Sequence, residues 1–261
     1  MTEAPKKTST PTRWTKETLR DPHRRADKAR RVEAMFDAIA PTYERVNTVV
    51  SFGRDAAWRH VTVAAGDVRE TDVVLDVACG TGDMLRTFAA AQPPPARLIG
   101  VDFSARMLAL GQYDDVATPI HLLRADAQRL PLADESVDII SCAFGVRNFQ
   151  NLQAGLDEMG RVARPGGRVL ILEFSTPSNP LIGWAHRLYV QRVLPVLGTL
   201  ISRDKTGAYK YLPRSVATFE SRDTFLRRLN DAGFSNITVR SMNLGGVILY
   251  RGEKRRSGGT L

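Results

Sequence analysis

One stretch constrains the fold more than any other: VVLDVACGTGDML, residues 73–85. An apolar run of strand length carries Asp76, passes through Gly80-Thr81-Gly82 and turns helical from Asp83. That is the strand–loop–helix opening of a nucleotide-binding βαβ unit, which carries its ligand at the carboxyl ends of parallel strands. The alternation continues downstream. Strands are expected at 73–79, 98–103, 121–125, 137–144 and 168–174, with helices at 83–91, after Ser104, at 152–164 and at 221–232. Ser104 can cap the helix that follows it, and Pro165-Gly166-Gly167 ends the helix at 152–164. Two closing strands, 237–242 and 247–251, are joined by a short Gly-Gly turn. Alternating β and α elements require a mostly parallel sheet with helices on both faces. The closing hairpin must add an antiparallel strand.

The loop itself narrows the ligand. A dinucleotide loop wants a third glycine, G-x-G-x-x-G, with pyrophosphate on the helix N-terminus. Here Leu85 stands in that third place, and Asp83 begins the helix. A carboxylate there already satisfies the positive helix end and repels phosphate, so the loop fits a ligand without one. Asp83 can equally be an ordinary first helical residue. Asp102 ends the second strand, twenty residues after Gly82, where a carboxylate can accept hydrogen bonds from ribose hydroxyls. Asp126, after the third strand, is placed to meet an exocyclic adenine amine. Together they point to adenosine and count against a nicotinamide dehydrogenase.

The rest of the chain sets bounds. Its 261 residues, 43% hydrophobic, suit one α/β domain with additions. The net charge is +9 and the pI about 9.9. Residues 1–31 hold ten Lys/Arg against four Asp/Glu, and residues 251–261 hold four against one, so the body from 32 to 250 is neutral. A nucleic-acid groove is therefore not expected. Residues 1–31 read as a basic, disordered arm and 255–261 as a basic tail. Cys79 and Cys142 sit in apolar runs and read as buried thiols, which suits a reducing compartment. The four histidines lack metal-ligand spacing. No apolar run is long enough to cross a bilayer, and the N-terminus lacks a secretory h-region. A cytoplasmic location follows, with contact at the cytoplasmic face of a membrane left open.

The acidic end of strand one, the Gly-x-Gly, the strand-two Asp and DAQRLPLADESVD (126–138) together resemble class I S-adenosylmethionine-dependent methyltransferases. A sulfonium ligand has no phosphate. The resemblance implies a Rossmann-like, seven-stranded, mostly parallel sheet with an antiparallel last strand. It implies that Asp76 orients the methionine amino group, that Gly80, Thr81 and Gly82 allow close backbone approach, that Asp102 holds the ribose with Phe103 beside it, and that Asp126 and Ala127 flank the adenine.

Further stretches are more specific: MFDAIAPTYERVN (35–47), FGVRNFQN (144–151), RVARPGGRVLILEFSTP (161–177), VLPVLGTLISRDKTGAYKYLPRSV (193–216) and DAGFSNITVRSMNLGGVILYRGEK (231–254). They resemble the menaquinone/ubiquinone biosynthesis C-methyltransferase family over about 32–254. Ala143, Glu44 and Tyr250 stand where that family often has a small polar residue, Asp and His. The resemblance implies an N-terminal helical cap, a helical lid inserted at about 178–216, and methyl transfer to a ring carbon of a prenylated quinol. Demethylmenaquinol is the expected acceptor, with a methoxy-benzoquinol precursor of ubiquinone or another small molecule as alternatives. Arg147, Asn148 and Tyr43 are the catalytic candidates, with Tyr209 and Tyr211 beside them, and no metal is required. Arg147 could stabilise a developing phenolate or simply sit in a salt bridge. The apolar segment 180–202, with Trp184 and scattered basic residues, could receive the prenyl tail and lean on a bilayer. A homodimer stays open.

Overall fold

The computed structural model describes residues 13–256. Strands β1 (Val73–Val77), β2 (Arg97–Asp102), β3 (Ile120–Arg124), β4 (Val137–Ala143), β5 (Ala163–Phe174), β6 (Phe234–Met242) and β7 (Val247–Lys254) form one sheet in the order β3-β2-β1-β4-β5-β7-β6. Neighbours from β3 through β5 pair in parallel, and β7 runs antiparallel to both β5 and β6. The strand order reverses between β1 and β4. Loops leaving these strands therefore diverge and open a crevice at their carboxyl ends. β5 starts earlier than expected because Ala163 already pairs with Val137, ahead of a register shift around Pro165-Gly166-Gly167.

Ten α-helices surround the sheet among the described residues: α1 (Lys28–Ile39), α2 (Tyr43–Val50), α3 (Arg54–Ala64), α4 (Asp83–Ala89), α5 (Ala105–Ala109), α6 (Leu152–Val162), α7 (Pro180–Leu188), α8 (Leu194–Ser202), α9 (Ala208–Ala217) and α10 (Arg222–Asp231). Successive strand residues point to opposite faces, and both faces are covered. Leu75, Val77, Ile140 and Ile171 pack on α6 and α10 through Leu156, Met159, Phe225 and Leu229. Val74, Ile139 and Leu170 pack on α3 and α4 through Trp58, Val63, Leu85 and Phe88. Each such buried side chain contributes about 1.5–3 kcal/mol. Cys79 and Cys142 are buried free thiols, as expected.

Above the carboxyl ends of the strands, α1 and α2 join α8 and α9 in a third apolar cluster that includes Val32, Met35, Val46, Leu194, Tyr209 and Tyr211. Cap and lid thus form one layer over the crevice. A π-helical turn, Tyr189–Val193, links α7 to α8.

The expected disordered arm needs correction from residue 13 onward. Trp14 is 2% exposed and stacks on Tyr211 with ring centroids 4.4 Å apart. Its backbone N–H donates to the Thr206 carbonyl at 2.8 Å. The Arg31 side chain bonds Asp27 at 2.8 Å and the Arg13 carbonyl at 2.9 Å, and the Lys28 ammonium donates to the Phe149 carbonyl at 2.5 Å. Residues 13–31 are a strap anchored by one aromatic, and part of the basic charge is buried with it. Residues 1–12 of the arm and 257–261 of the tail lie outside the described residues.

Candidate active site

Two adjoining cavities, about 300 and about 70 Å³, occupy the crevice. Both are lined by Phe36, Tyr43, Ala78, Gly80, Ala143 and Phe144, so these residues form the partition between them. Ala78 follows β1 and Phe144 follows β4, with φ of 58° and 56°. Left-handed backbone at non-glycine residues costs about 1–3 kcal/mol and gathers at binding sites.

The smaller cavity is built from strand ends. Asp102, Phe103, Asp126 and Ala127 all line it. The Asp102 carboxylate accepts from the Gly80 N–H at 2.9 Å and the Ser104 N–H at 2.8 Å. It therefore ties the glycine loop to β2, and its burial pushes its pKa up to about 6. Ser104 caps α5 as expected, accepting from the Met107 N–H at 3.1 Å. The Asp126 carboxylate accepts from the backbone and side-chain amides of Gln128 at 2.9–3.0 Å, which fixes the turn after β3.

The loop glycines differ in their reasons. A Cβ on Gly80, at φ +57°, would meet nothing within 4 Å: the space beside it is cavity. A Cβ on Gly82, at φ +87°, would lie 2.0 Å from the Tyr113 hydroxyl oxygen. Gly82 thus makes room for Tyr113, and it lines neither cavity. Asp83 lines the larger cavity and bonds Arg86 at 2.5 Å and Arg59 at 3.3 Å. Asp76 lies behind the loop, lines neither cavity, and accepts a 2.6 Å hydrogen bond from the Ser141 hydroxyl. Burial pushes its carboxyl up to about 7.

The larger cavity is walled by aromatic rings. Phe144 stacks on Phe174 at 4.2 Å and meets Trp58 edge-on at 6.1 Å. Tyr43, Tyr209 and Tyr211 complete the wall from cap and lid. Arg147 lines it too, but its guanidinium donates to Glu173 at 2.8 Å and to the Phe144 carbonyl. The ion-pair alternative therefore describes it, with Nε left as its buried unpartnered atom. Asn148 lines the smaller cavity instead. Its Oδ1 accepts from the Tyr211 hydroxyl at 3.0 Å and its amide donates to the Phe144 carbonyl at 3.3 Å, so it braces the strained turn.

Sequence reasoning missed Phe36, Trp58 and Phe174 as cavity walls. They come from α1, α3 and β5, and each reads locally as an ordinary core aromatic.

The donor set fits an adenosyl sulfonium. Gly80 opens onto empty space, the buried Thr81 hydroxyl lacks a partner among the described residues, and Asp76 is a buried carboxylate without an ion-pair partner among them. The first two are places for a close ligand and a hydrogen-bonding group, and Asp76 is an acidic group one layer behind the loop.

Comparison with known proteins agrees. The chain is 42% identical over 232 residues to the ubiquinone/menaquinone biosynthesis C-methyltransferase UbiE of Geotalea daltonii, covering 87% of this chain and 98% of that one. It is 39% identical over 231 residues to the demethylmenaquinone methyltransferase of Deinococcus radiodurans, covering 88% and 95%. The solved structure of a SAM-dependent methyltransferase from Thermotoga maritima, a possible histamine N-methyltransferase, shares the fold. It has a TM-score of 0.58 at 18% identity and covers 85% of this chain and 99% of that one. The sequence profile of the ubiE/COQ5 methyltransferase family matches residues 24–254, and the chain belongs to that family.

Proposed function

We propose that this enzyme moves a methyl group from S-adenosylmethionine to a ring carbon of a prenylated quinol, with demethylmenaquinol as the acceptor. One observation carries the reading: an aromatic cavity of about 300 Å³ adjoins the glycine loop and runs out under an apolar lid. A flat ring fits between such walls. A methoxy-benzoquinol fits the same chemistry and is the second acceptor to test.

S-adenosylmethionine, when bound, supplies a methyl already activated on sulfur. The chain supplies position. Asp102 would hold the ribose, with Phe103, Asp126 and Ala127 around the adenine. Gly80 and Thr81 would face the methionine part, and Asp76 would balance its ammonium through the loop. Gly82 acts one step back, by seating Tyr113. Tyr43, on the partition, would flank the path of the methyl. The cap–lid layer excludes water, and holding carbon in line with the methyl is where most of the acceleration arises. Arg147 and Asn148 act as positioning residues, holding Phe144 at the boundary. Labelled S-adenosylmethionine offered with reduced short-chain demethylmenaquinone and, in parallel, the reduced benzoquinone precursor tests the reading. Methyl transfer to the naphthoquinol is the expected result; transfer to neither contradicts it.

The domain division follows the same lines: a strap and basic arm up to residue 31, a methyltransferase body over 32–254 with its lid at 178–216, and a basic tail. The lid also suits a membrane surface. Leu181, Trp184 and Leu188 on α7, with Val196 and Leu200 on α8, are 45–74% exposed, and Arg187 and Arg192 are exposed among them. Phe52 and Leu244, each 76% exposed, sit at left-handed backbone on neighbouring turns. An apolar stripe with cationic flanks leans on an anionic bilayer. Among the described residues no helix is long and apolar enough to cross one. A cytoplasmic enzyme working at the cytoplasmic face of the membrane accords with this surface. Trp184→Ser with Leu188→Ser should abolish co-sedimentation with anionic liposomes. Unchanged co-sedimentation would dismiss the membrane reading, and a wild-type dimer lost in the variant would assign the stripe to a second copy.

A further inference from the structure

The proposed reaction leaves one step without a residue. As the ring carbon bonds the methyl, the methyl–sulfur bond breaks and its electron pair stays on sulfur. The ring carbon then loses its hydrogen as a proton to become aromatic again. A phenolate is a far better carbon nucleophile than a phenol, so the hydroxyl proton leaves first. The ring-carbon proton lost after methylation is balanced by reprotonation of that oxygen, and one proton leaves per turnover. A group in the acceptor cavity must take the hydroxyl proton.

The carboxylate, guanidinium and imidazole side chains lining the larger cavity are Arg54, Asp55, Arg59, Asp83, Arg147 and His186. Arginines have no proton-accepting atom. Asp55 is bonded to Arg59 at 2.7 Å and to the Ser51 hydroxyl at 2.9 Å. Asp83 is committed to Arg59 and Arg86. The Cys79 thiol is pushed well above its usual value by burial, and burial likewise raises Tyr43, Tyr189, Tyr209 and Tyr211, so all five stay protonated at neutral pH.

His186 differs from all of these. It is half-buried on α7, and neither ring nitrogen has a hydrogen-bond partner among the described residues. Its Nε2 lies 3.2 Å from where a Cβ on Gly246 would stand, against the β6–β7 turn. No carboxylate among the described residues pairs with it. The cation that acts on it is Arg187 on its own helix, and Arg54 reaches Asn243 of the same turn at 3.4 Å. Burial, and after it Arg187, hold the imidazole below its ordinary value, which leaves it neutral and basic at pH 7.

We propose that His186 is the general base of the methyl transfer, accepting the hydroxyl proton of the acceptor ring in the larger cavity and passing it to solvent. The inference rests on the quinol reading above. It also gives α7 a chemical role, because the lid helix carries the base into the cavity wall.

The test is a pH–rate profile of wild type, His186→Gln and His186→Asn. It uses labelled S-adenosylmethionine and reduced short-chain demethylmenaquinone or the reduced benzoquinone precursor, with folding checked by thermal unfolding. The variants should lose on the order of 100-fold in kcat and lose the acidic limb of the profile. The KM for S-adenosylmethionine should hold, and added imidazole should restore part of the rate. A loss that is equal at every pH and unmoved by imidazole overturns the assignment, as does an unchanged profile. Wild-type transfer to neither quinol overturns the substrate reading and this inference together. Wild-type transfer with unaffected variants overturns His186 alone.

Discussion

The two cavities are made in different ways. The smaller is assembled from strand ends and the turns directly after them, held by short hydrogen bonds such as Gly80 to Asp102 at 2.9 Å. The larger is assembled from rings on α1, α2, α3, β5 and α9, and its shape depends on how cap and lid pack on the sheet. A site fixed by local backbone is preorganised once the sheet forms. A site fixed by packed helices is as firm as their contacts. Damage to one should therefore leave the other largely intact.

The largest expected effect is on the acceptor side. Arg147→Ala strands Glu173, whose side chain is 2% exposed, and an unpaired buried charge costs about 3–5 kcal/mol. Denaturant unfolding should show that loss, and adding Glu173→Gln should recover much of it. A variant as stable as wild type would mean that the pair does not hold the Phe144 turn. In the recovered double variant, turnover should fall while S-adenosylmethionine binding stays near wild type.

Asp102→Ala strikes the other side. It frees the Gly80 and Ser104 N–H groups and, on the proposed site, would remove charge-assisted bonds to ribose, each bond contributing about 1.5–3 kcal/mol. Calorimetry should find S-adenosylmethionine bound on the order of 100-fold more weakly. Affinity within a few-fold of wild type would show that the smaller cavity is not the adenosyl site.

A subtler contrast lies beneath the loop. The folded-state pKa of Asp76, about 7, is raised above the unfolded carboxylate value. The stability it gives the ligand-free protein is complete below about pH 4 and is lost as pH rises through about 7. Asp76→Asn should escape that loss. Relative to wild type, the variant should gain a few degrees in Tm between pH 5 and pH 8, at roughly 2–4 °C per kcal/mol for a domain of this size. Parallel Tm curves would mean that Asp76 is solvated.

The smallest effect belongs to Thr81. Its hydroxyl has no partner to lose among the described residues, so Thr81→Ala should leave Tm unchanged. S-adenosylmethionine binding should weaken by about 1 kcal/mol, roughly fivefold. Equal affinity would place the methionine part of the ligand elsewhere.

The same contrast explains what could be read from the sequence. Asp102, Phe103, Gly80 and Asp126 follow strands closely, so alternation and a short motif suffice to place them together. Phe36, Trp58, Phe174 and His186 are separated by whole elements. Nothing local distinguishes a ring that lines a cavity from one that fills a core. Trp14 was hidden for a related reason. In a polar, basic segment one aromatic does not alter the composition, yet its stacking on Tyr211 anchors the strap. The Gly82 requirement was legible and its cause was not, since Tyr113 reaches it from beyond α5.

The most direct test of the account is whether the two cavities take two ligands at once. Binding of a short-chain quinone to a Trp14→Phe/Trp184→Phe variant, which keeps Trp58 in the larger cavity as its one tryptophan, can be followed by fluorescence quenching with and without saturating S-adenosylhomocysteine. The account predicts a ternary complex, with quinone affinity equal or higher when the adenosyl ligand is present. Mutually exclusive binding would contradict it.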